Sequence, residues 1–131
     1  MIIKNLFISF FLFSISFSSI ATSVYENNGN ITEGTHSDGS KSKSVTIGNT
    51  TTVERYGIKS TYVQQGKFTI YTDAKGNQII YNQVGDTVYG KDQNGLEITI
   101  TKTGNKTVVK RSDGKSVTCT NENNISKCVN N

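Results

Sequence analysis

His36 is the only histidine of the chain, and Glu33 and Asp38 lie close to it in sequence. A histidine beside a carboxylate is the usual equipment of general-base chemistry, which also needs a nucleophile within hydrogen-bond reach. Serines are plentiful nearby, but none stands in the strand-turn-helix context that presents a serine hydroxyl as a nucleophile. The expectation is a solvated histidine and a protein that is not an enzyme. Asp73 with Asn77, and Asp92 with Asn94, offer oxygen ligands of the kind calcium takes, without the loop spacing of an EF-hand. These aspartates occupy equivalent places ahead of a glycine, where a turn role accounts for them. No metal and no cofactor is expected.

Cys119 and Cys128 are the only cysteines, an even count that suits one disulfide in an exported chain. Centring a hairpin between Asn123 and Asn124 sets Glu122 opposite Ile125 and Cys119 opposite Cys128. Asn tolerates the left-handed backbone that a two-residue hairpin turn needs. Bonded and non-bonded pairs alternate outward from the turn. The cysteines therefore fall on a non-hydrogen-bonded pair, where the Cα atoms approach closely enough to be bridged.

The elements that carry these residues are announced by glycine. Gly39, Gly48, Gly57, Gly66, Gly76, Gly85, Gly95, Gly104 and Gly114 follow one another at intervals of 9 or 10 residues. Taken in pairs they define a unit of about 19 residues, with Thr, Val, Ile and Tyr between the glycines. Short strands joined by tight turns follow. Gly57, Gly66, Gly76, Gly85, Gly95, Gly104 and Gly114 are read as turn glycines, helped by Asp in 73–76, 92–95 and 112–114.

The fold class is all-β, an antiparallel meander of repeated short hairpins forming an open curled sheet or a small barrel of nine or ten strands. Alternation assigns the faces. In the first strand of each unit Ser60 and Tyr62, Ile79 and Tyr81, Ile98 and Ile100, and Val117 and Cys119 share a side. In the second strands Phe68, Ile70, Tyr89, Val108 and Ile125 share a phase, and are read as joining the apolar side. The other side, rich in Thr, Lys and Glu, is read as wet.

Residues 1–23 read as a signal peptide: Lys4, an apolar run from Leu6 to Ile20, then Ala21 and Ser23 as small residues before cleavage. That run of 15 residues is short of the roughly 20 that span a bilayer. Segment 24–42, poor in apolar residues, reads as a flexible N-terminal arm, and 43–131 as the β-hairpin repeat domain. The net charge of +4 is interspersed along the chain. A nucleic-acid face needs clustered Lys and Arg with stacking aromatics, so none is expected. Stable membrane insertion is not expected either, since spanning strands of about 9–11 residues would leave no room for turns here.

The units resemble the curlin repeats of bacterial amyloid fibres, through Gln64-Gln65-Gly66 and Gln83-Val84-Gly85 and the Gly-Asn of Gly48-Asn49 and Gly104-Asn105. The unit here is shorter, and Lys102 stands where a third Gln would fall. A second likeness is to the Tyr-Asp repeats of Rhs-type shells, through 71–77 and 91–96. The curlin likeness implies stacked strands and self-association, with Tyr62, Gln64, Tyr81 and Gln83 in equivalent columns.

Two functions follow from the sequence. One is a secreted, structural or adhesive component of the cell surface or exterior, such as a fibre subunit, whose partner is itself or another surface protein. The other is a small exported binding module with a barrel-like sheet. Both place the protein outside the cytoplasm: extracellular, on the cell surface, or periplasmic.

Overall fold

The computed structural model describes residues 22–130. The expected signal segment lies outside the described residues, except for Thr22 and Ser23. Twelve strands follow in order: β1 Thr22–Asn28, β2 Ile31–His36, β3 Lys41–Ile47, β4 Thr50–Arg55, β5 Ile58–Gln65, β6 Phe68–Thr72, β7 Gln78–Val84, β8 Thr87–Asp92, β9 Glu97–Thr103, β10 Lys106–Arg111, β11 Ser116–Glu122 and β12 Ile125–Asn130. Each pairs antiparallel with its neighbours in sequence, and β1 pairs with β12, so the meander closes into a barrel.

The extra strands come from the segment read as a flexible arm. Residues 24–42 instead form most of β1, all of β2 and the start of β3. Tyr25 anchors them, fully buried inside the barrel. The segment lacks apolar alternation because its other inward residues are Thr32, Gly34, His36 and Ser42. Small polar side chains can line a core when their hydroxyls find partners, and they leave no apolar alternation to read.

The two ends of the barrel are built differently. At one end two-residue turns join the strands, with a left-handed first residue such as Gly66 (φ 62°) or Asn123 (φ 55°). Only the first central residue is left-handed, the mark of a type II′ turn, whose twist matches that of paired strands. At the other end the loops after β2, β6, β8 and β10 are longer, and Asp73, Asp92 and Asp113 each accept backbone N–H bonds within them. The turn role expected of Asp73 and Asp92 is what these bonds describe.

The interior is filled. Ile98, Ile100, Val109, Val117, Cys119 and Cys128 pack with Tyr25, Val53, Tyr62, Tyr81 and Val88 in one buried cluster. A circular barrel of this strand number would enclose more space than side chains fill. Full burial of Ile100 and Val109 therefore requires opposing walls drawn together, much as in two packed sheets.

The first-strand faces are as the alternation predicted, with Tyr62, Tyr81, Ile98, Ile100, Val117 and Cys119 inside. The second strands are not. Thr69, Val88, Val109 and Ser126 point inward, and Phe68, Tyr89 and Ile125 are exposed on the outside. The cause is the turn. A two-residue turn at Gly66-Lys67 sets Gln65 opposite Phe68, so the inward Tyr62 lies opposite Tyr71 rather than beside Ile70. A strand's side-chain period is two, so this register turns its whole apolar set outward.

Candidate functional site

His36 is not solvated. It stands opposite Ser23 in the β1–β2 pair, and its ring is 3% exposed. Its Nδ1 is 2.7 Å from the Ser23 hydroxyl and its Nε2 is 2.8 Å from the Ser42 hydroxyl. The Tyr25 ring meets it edge-on with centroids 5.6 Å apart. Burial, assisted by the positive charge of Arg55, lowers its pKa against the opposing pull of Asp38. The result is a histidine favoured in its neutral form, with both ring nitrogens engaged and both serine hydroxyls buried. It ties β1, β2 and β3 together through Ser23 and Ser42.

Asp38 caps this end of the barrel. Its carboxylate accepts bonds from the Ser40 hydroxyl and backbone N–H, from Arg55 at 3.1 Å and from the Tyr56 hydroxyl. Those bonds, led by Ser40, pull its pKa down to about 2. Asp73 is likewise held below the ordinary carboxylate range. Desolvation opposes this, but the bonds from Asn77 and Lys75 outweigh it.

Cys119 and Cys128 face each other across the β11–β12 pair and are joined by a disulfide, with Cα atoms 4.0 Å apart. Glu122 pairs with Ile125, so the hairpin is centred where the sequence placed it.

The columns expected to mediate self-association are turned inward. Tyr62 and Tyr81 are fully buried, and Gln64 and Gln83 follow them in phase toward the barrel end. Gln83 spends its amide on the Gly85 carbonyl. Tyr62 and Tyr71 pack against each other with centroids 4.8 Å apart. Gly66 and Gly85 remain turn residues, as expected.

The outer wall holds the more informative pattern. Strand pairing aligns outward residues into oblique rows around the barrel. One row runs Ile47, Thr50, Val63, Ile70, Ile80 across β3 to β7. The row on one side runs Val45, Thr52, Thr61, Thr72, and the row on the other runs Phe68, Asn82, Tyr89. Not one of these residues is charged. Phe68, Ile80 and Tyr89 are 50%, 50% and 53% exposed. Beyond β7 the central row meets Lys91 on β8 and then Glu97 on β9.

The opposite wall differs. A charged row starts at Lys59, Glu54 and Lys43, along the margin of the uncharged face on β5, β4 and β3, and runs on to that wall through Glu33, Glu26, Ile125 and Glu122. A shallow concavity of about 370 Å³ opens there over β1 to β3, with Glu26, Glu33 and Lys41 beside Val24 and Ile125. It mixes both signs of charge around two aliphatic side chains. A typical surface scatters its apolar residues singly, and a contiguous exposed patch marks a contact surface. The face over β3 to β8 that carries these uncharged rows is the candidate site. Sequence reasoning collected Phe68, Ile70 and Tyr89 as one apolar set but placed them in the core; the length of the preceding turn was the signal that would have moved them out.

Comparison with family models, with curated proteins and with solved structures finds no match for this chain.

Proposed function

We propose that the protein is an exported, non-catalytic β-barrel module that acts by binding through its outer wall, as a structural or adhesive component outside the cytoplasm. The observation that carries this reading is the uncharged face: β6 and β7 present Phe68, Ile70, Thr72, Gln78, Ile80, Asn82 and Val84 outward with no ionisable group among them. Loss of charge with retention of aromatic and aliphatic side chains is the composition of a contact surface's centre.

Closure of the barrel favours the binding-module form of this reading over a fibre subunit. An open sheet offers a row of unpaired backbone groups on which another chain can add a strand. Here β1 is paired with β12, so a fibre of folded subunits would have no strand edge to grow from. The disulfide supports an oxidising location, and the N-terminal signal pattern points the same way.

The test is retention of the purified protein on the surface of the producing cells and on their extracellular material. Wild type is expected to be retained and Ile80→Lys to be lost, with both proteins folded by circular dichroism. Equal retention of the two contradicts the reading.

A further inference from the structure

We propose that the uncharged outer face pairs with the same face of a second copy of this chain, forming a two-fold dimer by sheet-on-sheet contact. The inference rests on reading that face as a binding surface, and adds its partner. An isologous contact requires a surface that is complementary to itself after a half-turn. The central row meets that requirement about Val63. Ile47 lies two strands away on one side and Ile80 two strands away on the other. A half-turn about Val63 lays Ile47 of one copy on Ile80 of the other and sets Thr50 against Ile70. Every contact of the central row in that register is aliphatic or hydroxyl, and none of them opposes two like charges.

Charge distribution separates this face from the rest of the wall. The opposite wall would bring Glu26 and Glu33, already adjacent in their own sheet, against further acids or against lysines at arbitrary register. The charged residues on the proposed face lie at its margins, as Lys59 and Lys91 do, where an interface keeps its wetted rim.

Area sets the strength. Six strands about 4.8 Å apart, each about 20 Å long, give a footprint of roughly 500–600 Å². A standard interface buries about 800 Å² on each partner, so the dimer sits at the weak end of specific association. It forms at micromolar and higher concentrations rather than being permanent.

The experiment is sedimentation equilibrium of the full exported chain, disulfide intact, from about 1 µM to about 1 mM. Wild type is expected to shift from monomer to dimer in that range. Ile80→Lys and Ile47→Glu are each expected to weaken dimerisation at least tenfold while keeping the wild-type circular dichroism spectrum. The double variant Ile47→Glu/Ile80→Lys places opposite charges against each other twice in the half-turn register, and is expected to recover most of the loss. Lys127→Ala, on β12 across the barrel from β6, serves as the unaffected control. A wild type that stays monomeric to 1 mM overturns the proposal, as does a dimer indifferent to Ile80→Lys. Failure of the double variant to recover overturns the half-turn register about Val63. Co-sedimentation of a persistently monomeric protein with neutral phosphatidylcholine vesicles or with an insoluble polysaccharide assigns the face to that occupant instead. If the protein is monomeric yet Ile80→Lys abolishes retention on cells, the dimer is wrong and the surface-binding function stands; if neither changes, both are wrong.

Discussion

Gly90 lies directly opposite Tyr81 across the β7–β8 pair, and the tyrosine ring lies over it so closely that a Cβ there would stand 2.6 Å from two ring carbons. Tyr25 and Gly34 repeat the arrangement across β1–β2, where a Cβ would stand 2.7 Å from the ring. A bulky ring is laid flat against the wall at a position where the facing strand supplies no side chain. Aromatic cover of a strand glycine in this way is a known means of pinning register. Burial of Tyr81 also drives its hydroxyl pKa up, so the ring stays neutral across the physiological range.

Gly90→Ala is accordingly expected to destabilise the fold by about 1–3 kcal/mol, the usual cost of overpacking a close-packed interior. Urea unfolding gives the value. In a Tyr81→Leu background the same change is expected to cost less, because the ring that it strikes is gone. A double-mutant cycle with no coupling would mean that the ring does not lie over Gly90.

His36 makes stability depend on pH. Its folded-state pKa is lowered from 6.5, so the unfolded chain binds the proton more readily. The stabilisation is therefore complete above the unfolded value and is lost progressively as pH falls through 6.5 toward the folded-state pKa. Asp38, lowered from 3.8 to about 2, acts in the same sense at lower pH, between those two values. Melting temperature is expected to fall from pH 7.5 to pH 5.5 in wild type and to stay nearly level over that range in His36→Gln. A wild-type profile flat between those pH values would show that His36 is as solvated in the fold as in the unfolded chain.

The disulfide closes a short loop, since Cys119 and Cys128 are nine residues apart. The chain-entropy estimate for a loop of that size is about 2–3 kcal/mol. Cys119→Ser/Cys128→Ser is expected to unfold at lower urea by that margin. Because β11 and β12 both remain bonded to outer neighbours, the variant is expected to keep its far-ultraviolet spectrum at 25 °C. Loss of all ordered structure on reduction would assign the bridge a larger share of the fold than its loop length supports.

Much of the architecture was legible in the residues. The glycine period gave the strands, and the Asn123-Asn124 centre gave the register of the last hairpin down to the cysteine pair. Two things were hidden for physical reasons. Strands β1 and β2 bury Ser23, Thr32, Gly34 and His36, with His36 held by the buried hydroxyls of Ser23 and Ser42, so no apolar alternation marks them. The outward apolar set was visible as Phe68, Ile70 and Tyr89, but its direction depends on whether two or more residues make the preceding turn. An apolar phase ordinarily faces inward, and here Phe68 and Tyr89 face out. The candidate site was thus present in the sequence as a set of residues without its address.

Closure of β1 on β12 is the claim on which the rest depends, because it removes the strand edges and leaves the outer wall as the surface proposed to bind. In that pair the Asn27 N–H bonds the Asn124 carbonyl, which makes Val24 and Lys127 a non-hydrogen-bonded pair with close Cα atoms. Proton NMR of the folded protein measures this directly. Strong Hα–Hα contacts between Val24 and Lys127 and between Glu26 and Ile125, with slow exchange of the Tyr25 amide, are the predicted result. Absence of those contacts, with the amides of residues 25–28 exchanging as in an unfolded chain, would contradict it.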